Sequence, residues 1–290
     1  MINSLKNNFS ASVLVVNYNK KKYIYRCLTS LVRQTKKDFE VIFYDDNSID
    51  NSILEAKKFK KKLNIRFIKN NLNNKTGLTA FDQINSYIQA SKFAKGKIIF
   101  FLDSDDFFKK NKIEYICDFF IKNPKQKTLF DLPYFWFSKK KIVKKIFSKR
   151  IFFFSTWPKF PPQSCISITN NHFKKIKKNI FLNKFSKISL DFRIAVHSFF
   201  IDRDFKIINQ YLTYYFQDHS GESSRFKFFS INWWNRRYEA HKFLRLFLRL
   251  NRIKYLYSPD RFVTVIFCFF INFLDQLQKT LIKSSNKINN

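Results

Sequence analysis

The chain has 290 residues, enough for one or two domains with a substantial core, and its 45% hydrophobic content excludes a disordered polymer. Its net charge of +34 is unevenly spread, with 19 basic and 10 acidic residues in 1–106 against 36 and 11 in 107–290; this favours anionic partners (phosphate-bearing ligands, lipid surfaces or nucleic acid) without choosing among them. Only three glycines are present, so neither a GxGxxG turn nor a P-loop can be built, and Cys27, Cys117, Cys165 and Cys268 include no CxxC pair of a zinc or redox motif.

In chain order, Ser12–Val16 is the first predicted strand and ends in the polar turn Asn17-Tyr18-Asn19. Ile24, Cys27, Leu28, Leu31 and Val32 then recur at helical spacing. Glu40–Tyr44 is a second strand, closing on Asp45-Asp46-Asn47-Ser48. Ser48 and Asp50 open a helix carrying Ile53, Leu54, Ala56 and Phe59. Ile65–Ile68 is a third strand. Thr79 caps a helix bearing Ile84, Tyr87, Ile88 and Ser91, and Gly96 stands where a helix C-terminal glycine belongs. Lys97–Leu102 is the fourth strand. Beyond residue 107 the pattern is less regular: Ile113–Phe120 reads as a helix, Ser164–Thr169 as a strand, and another helix begins near Leu190-Asp191. From Phe226 onward the chain reads as helical, aromatic and basic.

Strands alternating with helices imply βαβ units and a mainly parallel sheet. The fourth strand runs from Ile98 to Leu102 and stops abruptly at Asp103-Ser104-Asp105-Asp106. Three carboxylates this close repel one another unless something neutralises them, and oxygen ligands suit Mg²⁺ or Mn²⁺. A solvated turn is the bland alternative, since Asp and Ser are ordinary turn residues. In open α/β sheets, ligands bind beyond the carboxyl ends of the strands. Asn17-Tyr18-Asn19, Asp45-Asp46 and the 103–106 acids all lie at such ends, so three loops converge on one crevice. With no glycine loop to cradle phosphates, a bound cation and nearby basic residues must neutralise them.

The N-terminal third resembles the family 2 glycosyltransferases of the GT-A fold. Tyr18-Asn19-Lys20-Lys21-Lys22-Tyr23-Ile24-Tyr25-Arg26-Cys27-Leu28 with Ser30, Leu31, Gln34 and Thr35 is similar to the family pattern YNxxxYLxxCLxSLxxQT. Phe39-Glu40-Val41-Ile42 followed by Asp45-Asp46-Asn47-Ser48-Ile49-Asp50 is similar to FEVIxxDDxSxDxS, and Ala94 to Asp106 to AxGxYIxFLDSDD. The resemblance is specific over residues 11–120. One departure is Val16, where many members carry proline.

The resemblance implies an α/β GT-A catalytic domain over 1–225, with a donor half at 11–120 and an acceptor half at 121–225, and a basic helical region at 226–290. It implies a nucleotide-sugar donor, UDP-linked by family default, and Mn²⁺ or Mg²⁺. By analogy Val16, Tyr18, Asp46, Lys75, Gly77, Asp103 and Ser104 line the donor site. Asp105 is the expected direct metal ligand, with Asp103 and Asp106 beside it and His219 in the Asp218–Ser224 loop reaching the metal or diphosphate. Asp191 is the expected catalytic base, with helix capping as its structural alternative. The resemblance also implies a saccharide or lipid-linked acceptor of the cell envelope. A nucleotidyltransferase is the rival enzyme class, but it commonly carries a glycine-rich N-terminal loop that is absent here. A charge-driven membrane or nucleic-acid binder leaves the strand-end carboxylates unexplained, and nucleic acid is not expected as a partner.

Met1–Ser10 is polar, so no secretory leader is expected, and the scattered cysteines fit a reducing cytoplasm. The longest apolar run, Phe262–Leu274, is short for a membrane crossing. Asn232–Tyr238, leading into Phe243, Leu244, Leu246, Phe247, Leu248 and Leu250 with Arg245 and Arg249 between them, is the expected contact with an anionic membrane surface. The alternative is a helix packed with its basic face in water.

Overall fold

The computed structural model describes residues 9–70, 79–137, 142–144, 154–182, 185–217, 226–255 and 258–288. The chain divides into two compact units, 1–149 with 159–218, and 150–158 with 219–290.

The first unit is built on strands β1 (Ala11–Asn17), β2 (Phe39–Asp45), β3 (Ile65–Lys69) and β4 (Ile98–Asp103), paired in parallel in the order β3-β2-β1-β4. They alternate with helices α1 (Lys21–Val32), α2 (Ser52–Lys57) and α3 (Thr79–Ser91). Crossover helices cover both faces of such a sheet, which is why its strands read as unbroken apolar runs. Val13, Val15, Val41, Phe43, Phe100 and Leu102 pack in one cluster with Ile24, Cys27, Leu28 and Leu31 of α1 and with Ile113, Ile116 and Cys117 of α4 (Lys112–Lys122). On the opposite face Phe101 meets Tyr87 of α3 and Phe173 of α5 (Asn170–Ile180), edge to face with ring centroids 5.2 and 5.4 Å apart.

The sheet continues through further strands, of which periodicity reveals only the one ending at Thr169. β5 (Phe107–Phe108), β6 (Thr128–Phe137), β7 (Ile142–Lys144), β8 (Ile166–Thr169) and β9 (Ile207–Gln217) extend the order to β3-β2-β1-β4-β8-β6-β9-β5, with β7 on β6. β8 runs antiparallel to β4, and β6 runs parallel to β9. Pro133 sits inside β6, where the pairing with β9 slips register on either side of Leu132. Proline donates no ladder hydrogen bond, so a bulge is where a strand tolerates it. Residues 163–165 form a 3₁₀ turn rather than the start of the strand expected from Ser164.

Gly96 is not a helix cap, because α3 ends at Ser91. A β-carbon at Gly96 would stand 2.2 Å from the Ala11 carbonyl carbon. The glycine lets the chain entering β4 press against the backbone of β1, and its N–H donates to Ser12 Oγ at 2.8 Å.

The second unit holds α7 (Ile231–Leu250) and α8 (Pro259–Ile288), while the short α6 (Leu190–His197) belongs to the first. Ser230 caps α7 by accepting from Trp233 N–H. Arg237 of α7 ion-pairs with buried Asp260 of α8, and Trp234 stacks on Phe267 at 4.8 Å. This corrects the expectation for the aromatic segment: Phe243, Leu244, Phe247 and Leu248 are buried. The exposed apolar face lies instead on α8, where Phe262, Ile266, Phe269, Phe273 and Leu277 recur at spacings of four, three, four and four. Among the described residues, no helix is long and apolar enough to cross a membrane.

Candidate active site

Parallel register brings the strand-end acids together. Val16 pairs with Asp103 on one side and with Tyr44 on the other, and Asn17 pairs with Asp45. Adjacent strands lie about 4.8 Å apart, so the ends of β1, β2 and β4 are immediate neighbours.

The loops after β1 and β2 are laced to each other. Asn19 N–H donates to Ser48 Oγ at 2.9 Å, Ile49 N–H returns to Asn19 Oδ1 at 2.9 Å, and Lys21 N–H donates to Asp50 Oδ2 at 2.8 Å. Asn19, Asn47 and Asn51 adopt positive φ of 50, 58 and 61°. Asparagine tolerates this left-handed region better than most residues, and here it takes positions that a glycine-richer chain gives to glycine. Asp45 is wholly buried and structural, accepting from Asn17 Nδ2 at 2.7 Å and Ser48 N–H at 3.0 Å. Asp46 accepts from Asn70 Nδ2 at 2.7 Å, and Tyr18 is half exposed at the rim.

The acids at the end of β4 differ sharply in environment. Asp103 Oδ1 accepts three bonds, from Gln83 Nε2 at 2.8 Å, Tyr87 Oη at 2.8 Å and Gln163 Nε2 at 3.0 Å. Burial, reinforced by the charges of Asp105 and Asp191, nevertheless pushes the Asp103 carboxyl up to about 7. Ser104 is buried, its N–H on Val16 O at 3.3 Å. Asp106 accepts from Phe216 N–H of β9 at 2.8 Å through Oδ1, while its Oδ2 is buried without a hydrogen-bond partner. Burial and the charges of Asp105 and Asp103 raise this carboxyl well above the usual range; the Phe216 N–H and the nearby Ser164 hydroxyl offset only part of that. Asp105 pairs with Lys20 Nζ at 2.7 Å, and its carbonyl accepts from Arg26 Nη2 at 2.6 Å. The Arg26 guanidinium is seated among aromatic rings, 3.9 Å from the centroid of Trp136 and 4.9 Å from that of Phe216.

An orphaned buried carboxylate oxygen, flanked by two further acids, is a donor set that fits a hard divalent cation. Asp103, Asp105 and Asp106 are the residues that would hold it.

Asp191 lies in the first turn of α6, whose N-cap is Ser189. Asp191 is therefore not the cap, although its Oδ1 accepts from Ser189 Oγ and from Phe192 N–H. Its charge adds to burial in raising both Asp103 and the phenol of Tyr215, so it lies within electrostatic reach of the acids. Lys75, Gly77 and His219 lie outside the described residues. An open depression of about 640 Å³ lined by Asn19, Lys21, Lys22, Tyr23, Tyr25, Asp50 and Glu55 contains none of the 103–106 acids, so charge convergence rather than concavity locates the site.

Sequence reading missed Lys20, Asn70, Gln83, Tyr87, Gln163 and Tyr215. Lys20 was findable, since it continues the strand-end turn after β1. Tyr87 was not: at helical spacing with Ile84 it reads as core, and only the fold shows its hydroxyl reaching Asp103.

The family model for glycosyl transferase family 2 matches residues 12–172. A poly(ribitol-phosphate) beta-glucosyltransferase of Bacillus spizizenii is 39% identical over 100 residues, 33% of this chain and 15% of that protein. The Escherichia coli enzyme WfgD, named a UDP-Glc:alpha-D-GlcNAc-diphosphoundecaprenol beta-1,3-glucosyltransferase, is 31% identical over 119 residues, 40% of this chain and 43% of that one. The matches thus span less than half the length of these relatives. The structure of S. aureus TarS residues 1–349 with UDP-GlcNAc superposes with a TM-score of 0.58 at 18% identity, covering 90% of this chain and 71% of that one. Such a likeness speaks for the fold, a mixed, mostly parallel sheet flanked by helices. With a family match over more than half its length, strand-end acids where the family motif places them and a shared GT-A fold, the chain belongs to glycosyl transferase family 2.

Proposed function

We propose that this protein is an inverting, cation-dependent glycosyltransferase. In this reading it moves a sugar from a UDP-sugar to a saccharide or lipid-linked acceptor of the cell envelope. The observation that carries the reading is the buried acid cluster, in which Asp103 and Asp106 hold raised pKa values and Asp106 Oδ2 lacks a partner. The activities for which the relatives are named, on poly(ribitol-phosphate) and on a diphosphoundecaprenol-linked sugar, support the donor and acceptor classes.

Tyr18 and Asp46, with Val16 and Ser104, bind the nucleoside, while Asp103, Asp105 and Asp106 hold Mn²⁺ or Mg²⁺. The ion supplies charge neutralisation for the departing diphosphate. Asp191 removes the proton from the acceptor hydroxyl as that oxygen bonds to the anomeric carbon. The anomeric carbon–phosphate oxygen bond breaks in the same displacement, and its electron pair leaves with the nucleoside diphosphate. Lys20 neutralises Asp105 through their ion pair, a partner that a bound cation would replace. The exposed apolar face of α8 rests on the cytoplasmic surface of an anionic membrane, where a lipid-linked acceptor is found.

The test is donor binding and transfer with Mn²⁺ and a panel of UDP-, GDP-, dTDP- and CMP-sugars. Asp105→Ala is expected to remove cation-dependent donor binding. Asp191→Asn is expected to keep donor affinity within about twofold and to lose transfer by about 10²–10⁴-fold, the range of general-base catalysis. Normal donor binding by Asp105→Ala overturns the cation assignment.

A further inference from the structure

Among the described residues, His172, His197 and Asp202 form a cluster of metal-ligating side chains whose ligand atoms all lie within 4.8 Å of one another. It stands apart from the acids of β4. β8 runs antiparallel to β4 with Thr169 opposite Ile98, so α5 begins at the end of β4 far from Asp103. Five residues of strand separate the two ends, about 16 Å at 3.3 Å per residue.

Three elements deliver the three side chains. His172 lies in the first turn of α5, and His197 is the last residue of α6. Asp202 closes a π-helical turn, Ser198–Asp202, which Arg203 terminates in the left-handed region at φ 56°. A π turn continuing an α-helix and a left-handed arginine are both uncommon, and such backbone persists where its surroundings over-determine it. Ser198 Oγ donates to Asp204 Oδ1 at 2.8 Å, which pins the loop.

The convergence is on a single atom. His172 Nε2 lies 2.7 Å and His197 Nδ1 2.9 Å from the same oxygen, Asp202 Oδ2. The other oxygen, Oδ1, is held by Lys127 Nζ at 2.9 Å. The side chains of His172, His197 and Asp202 are only 10, 5 and 5% exposed. One carboxylate oxygen thus faces two imidazole nitrogens in a nearly dry pocket, with its partner oxygen oriented from outside. Outer hydrogen bonds of this kind orient a ligating carboxylate.

We infer that His172, His197 and Asp202 form a second divalent-cation site, selective for zinc-class ions and distinct from the acid cluster at the end of β4. Two imidazoles and one carboxylate suit Zn²⁺, with water as a fourth ligand, whereas an all-oxygen set suits Mg²⁺ or Mn²⁺. Tetrahedral ligands at zinc bond lengths are ~3.3 Å apart. Admitting the ion therefore opens each nitrogen–oxygen separation by about half an ångström, a movement within side-chain rotation. Each imidazole then presents its lone pair to the ion, its proton moving to the other ring nitrogen. Bound zinc ties the start of α5 to the end of α6, and α6 carries Asp191 at its other end.

The test uses the full chain stripped of metal and titrated with Zn²⁺ alone, in excess Mg²⁺ to fill the oxygen site. About one zinc per chain is expected, at micromolar affinity or tighter. Loss of an outer partner typically costs 10–100-fold in affinity, and loss of a ligand itself should cost at least as much, so His172→Gln, His197→Gln and Asp202→Asn should each weaken binding by about tenfold or more. Asp105→Ala should leave binding within about twofold. No zinc uptake by the wild-type chain, uptake unchanged in all three variants, or uptake lost with Asp105→Ala overturns the proposal. Should the variants fail to fold, the wild-type chain loaded with Co²⁺ decides: intense visible absorption of a tetrahedral ion supports the site, and a pale octahedral spectrum overturns it.

Discussion

Asp103 is bound by three side-chain donors and still titrates near neutrality, because burial and two neighbouring carboxylates outweigh those hydrogen bonds. Its carboxyl stands at about 7 in the folded chain, whereas an unfolded aspartate titrates near ~3.9. Between those values the folded protein holds a proton that the unfolded chain has released. Stability from this group is therefore present at low pH and falls as pH rises through roughly 4 to 7. Asp106 shifts in the same direction. The metal-free protein is expected to lose several degrees of melting temperature between pH 5 and pH 8. Mn²⁺ should restore them at pH 8 and have less effect at pH 5, where protons occupy Asp103 and Asp106. Asp103→Asn should flatten the slope without abolishing it. A melting temperature that rises across this range in metal-free buffer would show that the acids are not buried together.

At the scale of elements, legibility followed burial. β1, β2 and β4 are covered on both faces, so their apolar runs announced them, and α1, α3 and α4 show helical spacing because each buries one face. β6 was hidden by Pro133 and by Asp131, a wholly buried acid that reads as solvated until Lys112 is seen 2.6 Å away. β9 mixes Asn209, Gln210 and Thr213 among aromatics and shows no clean alternation. The acids of the site were legible because a strand-end carboxylate run is anomalous on its face. The side chains that hold Asp103 were not, because glutamine and tyrosine on helices carry no such signal. The pairing of α7 with α8 was equally silent. Asp260 is 1% exposed, with His241 Nε2 3.7 Å away, and takes bonds from Arg237 and from Thr156 N–H at 2.8 Å, so these three outweigh burial and hold its carboxyl well below the ordinary range. Removing one partner of a buried ion pair costs about 3–5 kcal/mol. Arg237→Ala should therefore accelerate amide exchange throughout α7 and α8 while leaving β1–β4 protected. Unchanged exchange in α8 would refute the role given to this pair.

For the whole molecule, the proposed membrane contact draws on both the charge and the apolar face of α8. A chain of net charge +34 repels a second copy of itself, so self-association is a poor way to cover Phe262, Ile266, Phe269, Phe273 and Leu277. On the proposed reading an anionic lipid surface would cover them and answer the charge, because each basic residue near such a surface contributes about 1 kcal/mol. Apolar insertion adds about 25 cal/mol for each Å² removed from water. The two contributions differ in their response to salt and to lipid charge, and this makes the proposal testable by separating them. The wild-type chain should co-sediment with phosphatidylglycerol vesicles at low salt and bind neutral phosphatidylcholine vesicles at least about tenfold more weakly. Salt at about 0.5 M should release it, since screening then acts within a few ångströms. The double substitution Phe269→Glu and Phe273→Glu should reduce binding to anionic vesicles by about tenfold or more, while soluble-acceptor transfer stays unchanged because neither residue belongs to the acid site. Equal binding to neutral and anionic vesicles would remove the electrostatic half of the argument. Full binding by the double variant would remove the role of α8 and leave the basic surface as a counter-ion for soluble anions alone.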